Sequence, residues 1–253
     1  MNSLTIALLT FCGVFSCALF GMFLSERLPG HHLEKDSKDT VKVAAALIAT
    51  MVAIVLGMLV SSAKASFDEM NSGLADMGAK VIQLDQALAH YGPETKEIRD
   101  SLRDTVVSVI KTVWPEDVHS HPDLAAIEKS NATGHMMIAL RKLQPLTDDQ
   151  RELKAQALQI SSDLSNLRWT MIERWHKSLP WMVLLVLAFW LAILFTSFGL
   201  FARRNATVVT ALCLSALSVS GAVLLIMEMN SPLTGMIKAS PDPLYKALEF
   251  IGK

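Results

Sequence analysis

The stretch V-A-A-A-L-I-A-T-M-V-A-I-V-L-G-M-L-V-S-S-A, Val43 to Ala63, carries no charge from end to end and is closed by Lys42 and Lys64. A helix rises about 1.5 Å per residue and the hydrocarbon core of a bilayer is about 30 Å thick, so roughly 20 such residues make one crossing. Beyond Lys64 the pattern changes without a break. Phe67, Met70, Leu74, Met77, Val81, Leu84 and Leu88 recur in a three-four alternation, the seam of a helix packed on another helix. No Gly-Pro breaker precedes Tyr91-Gly92-Pro93. One helix is therefore predicted to run from the membrane straight into water, to end there, and to have Pro93 open the next.

Three further stretches are long and apolar enough to span: Leu4 to Leu24, Trp181 to Phe201 and Ala206 to Met227. Their borders are Glu26 and Arg27; Pro180; Arg203 and Arg204; and Glu228 with Pro232. Met1 to Ser3 carries no Lys or Arg and no small-x-small cleavage site follows, so the first run is read as a retained span rather than a signal peptide. The expected fold class is all-α, an integral membrane protein with transmembrane helices at 4–24, 43–63, 181–201 and 206–227. These fall in segments 1–63 and 180–229, with an extramembrane antiparallel helical bundle over 64–179 and a C-terminal polar tail over 230–253. An even number of spans puts both termini and the bundle on one side. Arg27, Lys35, Lys38, Lys42, Arg203 and Arg204 concentrate basic charge in the two short loops, which favours cytoplasmic loops and an extracytoplasmic bundle.

Within 64–179, Ile98, Leu102, Val106, Val109 and Val113 mark a second helix that ends at Trp114-Pro115. Glu116 to Asp123 reads as loop, and a shorter helix extends to about Leu143. Thr147 then caps a long helix whose first turn carries Asp148, Asp149 and Glu152, charges suited to a helix amino terminus. Its seam is Leu153, Ala157, Ile160, Leu164, Leu167 and Met171, and it leads to Trp175 and Pro180 at the membrane. Stripes of this kind are what a bundle core requires.

With 51% hydrophobic and 19% charged residues, apolar and charged side chains must be segregated into blocks. The net charge of −1 and the lack of a basic run interleaved with aromatics argue against nucleic acid as a partner. Cys12, Cys17 and Cys213 all lie in apolar runs without CxxC spacing, which implies neither a disulfide framework nor a thiolate zinc site. Asp117, His119, His121 and Asp123, in E-D-V-H-S-H-P-D, are types that bind divalent metals, but Pro122 and the lack of a second ligand cluster make a solvated loop the better reading. His31-His32 beside Pro29-Gly30 is a polar turn at the membrane surface. No cofactor is expected, and no nucleophile elbow, phosphate loop or H-E-x-x-H motif occurs, which makes an enzyme the weakest class.

The spans carry more information. Gly13, Cys17 and Gly21 repeat every four residues in the first, and Ala46, Thr50, Ala53, Gly57 and Ser61 form a small-residue stripe in the second; such stripes let helix backbones approach closely. In the fourth, Thr207, Thr210, Ser218, Gly221 and Glu228 fall in one narrow sector at about 100° per residue. Glu228 is either a hydrated interfacial carboxylate or one member of a ring around an axis, where it would attract cations. Four nearly charge-free spans do not enclose a wide aqueous path, so a pore requires several copies. The expected partners are the lipid bilayer, further copies of this chain and inorganic ions.

L-P-G-H-H-L (Leu28 to Leu33), I-A-T-M-V-A-I-V-L-G-M-L-V (Ile48 to Val60) with the following Phe67, and N-S-P-L-T-G-M-I-K-A-S-P (Asn230 to Pro241) resemble bacterial membrane proteins of unknown function described as bestrophin-like. The likeness extends over nearly the whole chain, two spans on each side of a helical insert. It implies an oligomeric ion channel in the bacterial inner membrane, with a pentamer as the expected assembly. The aromatic-rich neck that a bestrophin anion channel implies is absent from spans two and four, where Ser, Thr and Ala stand instead. The rival reading is a non-conducting sensor or scaffold whose bundle binds a ligand or partner.

Overall fold

The computed structural model of the chain describes residues 3–27, 35–115, 124–129, 132–176, 181–202 and 204–252. Among the described residues every long element is helical and no strand occurs: α1 (Ser3–Arg27), α2 (Lys35–Tyr91), α3 (Lys96–Val113), α4 (Leu124–Lys129), α5 (Ala132–Lys142), α6 (Asp148–His176), α7 (Trp181–Phe201), α8 (Ala206–Met229) and α9 (Asp242–Phe250). The protein is all-α, and α1, α2, α7 and α8 are each long and apolar enough to cross a membrane. Helix α2 is continuous over 57 residues, as its apolar run and following seam predict.

The chain divides into two compact units. Unit 1 comprises 1–65 and 178–230. Its core is made by Val14, Ala18 and Met22 of α1, Ala45, Val52 and Leu59 of α2, Leu187, Leu191, Leu194 and Phe195 of α7, and Leu212, Ala216 and Ile226 of α8. The outward positions are equally apolar: Leu8 is 63% exposed, Met58 68% and Phe189 60%. A surface so uniformly apolar is stable only against lipid or further protein.

Unit 2 comprises 66–177 and 231–253. Met70, Leu74, Val81, Leu84 and Leu88 of α2 face Leu102, Val106, Ile110 and Val113 of α3, Met136 and Leu140 of α5, and Ala157 and Ile160 of α6. On α3 the fully buried position is Ile110, with Val109, the residue that the sequence pattern picks out, packed at the edge of the core. Gly92 makes the turn between α2 and α3 at φ +136°, backbone that a side chain disfavours. The Thr95 hydroxyl lies 2.6 Å from the Leu88 carbonyl and closes the end of α2. Thr147 Oγ1 accepts from the Gln150 amide at 3.2 Å, and the Gln150 side chain accepts from the Leu146 amide at 2.8 Å, a reciprocal cap at the start of α6.

Residues 231–253 depart from the polar tail that the sequence suggests. Leu233, Ala239, Leu244, Ala247 and Ile251 are buried in the unit 2 core, and 242–250 form α9. A Cβ built on Gly78 would come 2.6 Å from the Pro243 carbonyl, so α2 needs a glycine where this segment crosses it. Trp114 Nε1 donates to the Ala239 carbonyl at 2.9 Å, Arg103 to that of Ile251 at 3.4 Å, and the Gly252 amide donates to Asp85 Oδ2 at 3.3 Å.

Candidate functional site

Along α8, Thr207, Thr210, Ser218 and Gly221 are exposed on the protomer and Glu228 is buried, at 4% exposure. The sector that a helical wheel draws as one face is therefore divided: four small or hydroxylated positions look outward, and the carboxylate is covered within the protein. Ser218 Oγ donates to the Leu214 carbonyl at 2.9 Å, within its own helix. Thr10, Thr50 and Ser197 donate to Ile6, Ala46 and Ile193 in the same way. In a solvent without hydrogen-bonding groups, a hydroxyl that returns to the carbonyl four residues back is satisfied without a partner helix.

On α2, Ala46, Thr50, Ala53, Gly57 and Ser61 are all exposed, and α2 turns Ala45, Val52, Leu59 and Ala63 inward instead. A Cβ added at Gly57 would meet nothing within 4 Å outside its own helix, and the same holds for Gly13 and Gly221. Cys17 is half-buried. Gly21 is the member of the α1 stripe at a close contact: a Cβ there would collide with the Thr196 carbonyl of α7 and lie 2.9 Å from the Leu200 amide nitrogen. The reciprocal glycine is Gly199 of α7, whose Cβ would collide with the Ala18 carbonyl and sit 3.0 Å from the Met22 amide nitrogen. Sequence reasoning missed Gly199, although it is the only glycine between Trp181 and Phe201. It also missed Ser220, a buried hydroxyl that donates to the Ala7 carbonyl of α1 at 2.6 Å.

In unit 2 the charged groups form specific pairs. Asp85, 5% exposed in its side chain, takes two hydrogen bonds from Arg99 at 2.7 and 2.9 Å. Those bonds hold the Arg99 guanidinium above its ordinary range. Lys80 Nζ is 2.8 Å from Asp163 Oδ2, and its hydrogen bond keeps the Asp163 carboxyl below the usual carboxylate range. Burial pushes the Tyr91 phenol up, with Glu94 adding to the shift, and burial pushes Arg168 down. Two apolar cavities of about 90 and 70 Å³ lie in this core, both walled by Met77, Val109 and Arg168. A polar cleft of about 660 Å³ shares the same three residues.

Asp117, His119, His121 and Asp123 lie outside the described residues, as do His31 and His32. Among the described residues no group of three or more His, Cys, Asp or Glu is placed to hold a metal ion.

No curated protein and no solved structure matches this chain. A family model described as Bestrophin-like domain matches residues 12–244, a range that takes in α1 from residue 12, the whole of α2, α7 and α8, and the helical insert between the second and third apolar helices. The chain belongs to the bestrophin-like family, as a multi-pass membrane protein of two helical pairs flanking a helical domain.

Proposed function

We propose that several copies of this chain, five by analogy with bestrophins, assemble around an axis to form an ion-conducting pore in the bacterial inner membrane. The observation that carries this reading is the outward face of unit 1. The small and hydroxylated positions of α2 (Ala46, Thr50, Ala53, Gly57, Ser61) and of α8 (Thr207, Thr210, Ser218, Gly221) are exposed on the single protomer. Small residues exposed toward lipid alone gain little, whereas against a second copy they permit close backbone approach, and around an axis they leave width for ions. Membership of the bestrophin-like family supports the same reading. Glu228, buried within the protomer, suits an anchor for the end of α8 better than a ring at the pore mouth. With the short basic loops in the cytoplasm, the bundle faces the other compartment.

Purified protein reconstituted in planar bilayers under asymmetric salt tests the proposal through its reversal potential. Single-channel currents that vanish or change amplitude in Thr210→Leu or Gly57→Leu support it. A silent bilayer from well-formed oligomers overturns it and leaves the non-conducting sensor.

A further inference from the structure

The larger cavity of the unit 2 core, about 90 Å³, is walled chiefly by apolar side chains, among them Val81, Leu84, Val106 and Met136. Four polar side chains border it: Thr105, Thr133, Ser161 and Arg168. Three of them are engaged. Thr105 donates to the Ser101 carbonyl at 2.8 Å, Thr133 accepts from Arg168 at 3.4 Å, and the Arg168 guanidinium also stands 5.4 Å from the centre of the Trp169 ring. Ser161 of α6 is 1% exposed and its Oγ has no hydrogen-bond partner. Ser197 and Ser218 return their hydroxyls to the carbonyl four residues back; Ser161 makes no such bond to Ala157. A buried hydroxyl left this way is a net cost to the fold. Water does not repair it: a buried water makes about three hydrogen bonds, and an apolar cavity that cannot supply them stays dry.

We infer that this cavity binds a small neutral molecule with an apolar body and a single oxygen, an alcohol or ketone, hydrogen-bonded to Ser161 Oγ. The apolar body follows from the walls. The size follows from the volume: about 150 Å³ of apolar space holds a benzene ring, and here 90 Å³ meets a second cavity of 70 Å³ at the shared walls Met77 and Val109. That space suits about four to six heavy atoms. The single oxygen follows from Ser161, whose hydroxyl donates to a ketone or accepts from an alcohol. Neutrality follows from the surroundings. A charge buried among these apolar walls is costly without a partner, and Arg168 at the border opposes a second cation. Glu97, Asp100 and Asp104 line the polar cleft that shares Thr105 and Thr133 with the cavity, and they oppose an anion. The site lies wholly within unit 2 and stands whether or not assembled copies conduct.

The test uses the full chain in lipid nanodiscs with carbon-13 in the methionine methyl groups, titrated with cyclopentanol, cyclopentylamine and cyclobutanecarboxylate. Met77 and Met136 line the cavity, whereas Met58, 68% exposed on the apolar run of α2, reports partition into lipid. The expected result is a saturable shift of the Met77 and Met136 methyl signals with cyclopentanol, a linear drift at Met58, and binding of the ammonium and carboxylate compounds at least tenfold weaker. Ser161→Ala should weaken cyclopentanol about three- to tenfold and leave the melting temperature of the ligand-free protein unchanged or raised, a combination that a structural role for Ser161 does not give. Ser161→Leu fills the cavity and should abolish the saturable shift. A Met136 signal that drifts in parallel with that of Met58 is partition into lipid and overturns the proposal. Wild-type affinity in Ser161→Ala overturns it as well, as does a charged compound that binds as tightly as the alcohol.

Discussion

In unit 1 the tightest contact is made by residues with no side chain at all, Gly21 and Gly199, each set against the backbone of the facing helix. In unit 2, apart from Gly78 against the Pro243 carbonyl, the core is filled by large side chains, among them Leu84, Leu88 and Leu140, each at most 1% exposed. The difference follows from the solvent. Lipid tails are as apolar as leucine, so a leucine gains little by leaving them, and helices there associate through close packing and internal hydrogen bonds. Water rejects each leucine, at about 1.5–3 kcal/mol per fully buried side chain. The α1–α7 contact of unit 1 and the core of unit 2 thus follow different size rules.

The comparison breaks most visibly where volume is added to unit 1. Gly21→Leu places a branched side chain into the Thr196 carbonyl, and the expected outcome is loss of monodisperse protein on size-exclusion chromatography in detergent. The outwardly open Gly13→Leu should elute as the wild type does, and if both variants behave alike the size rule fails for α1. Asp85→Ala leaves Arg99 without the carboxylate that receives both its hydrogen bonds, which costs about 3–5 kcal/mol when a buried pair is broken. It also frees the amide of Gly252, so proteolysis should begin at the carboxy terminus. Leu84→Ala deletes volume from the unit 2 core at about 2–5 kcal/mol, read as a fall in the thermal midpoint of the helical signal. Ser220→Ala removes an interhelical hydrogen bond in unit 1, where such bonds average about 0.6 kcal/mol, and its midpoint should move least of these variants.

The smallest effect is a pH dependence in unit 2. The native Asp163 carboxyl titrates below its ordinary range, so its pairing with Lys80 contributes in full above the unfolded value of about 4 and is lost as pH falls through the lower native value. Both partners are about one-third exposed, so screening keeps the effect small. Asp163→Asn should cost a small, nearly constant amount of stability above pH about 4 and converge with the wild type in acid, which flattens the acid limb, and a variant that matches the wild type at neutral pH but diverges from it in acid contradicts the assignment.

How much of this was legible beforehand depends on whether the responsible force is local. The boundaries of α7 and the unbroken course of α2 follow from hydropathy, charge and the missing breaker, all readable along the chain. The buried face of α3 was readable to within one residue, Val109 against Ile110, because neighbouring apolar residues compete for a core that only the partner helices define. Ser231, Lys238, Ser240 and Asp242 surround a short apolar set and give 230–253 the look of a polar tail. Its burial depends on Gly78 opening a path more than 150 residues earlier in the chain. Helical-wheel geometry put Glu228 with Thr207 and Ser218, but a wheel knows only angle and cannot tell what covers the end of a helix. Gly199 and Ser220 acquire meaning only from α1, which no pattern within α7 or α8 contains.

The stitched carboxy-terminal segment has a practical corollary for handling the protein. With Gly252 donating to Asp85 and Arg103 reaching the Ile251 carbonyl, residues 251 and 252 are a working part of the unit 2 fold. A label inserted directly after Gly252 would strain those bonds, so it belongs behind a long flexible spacer.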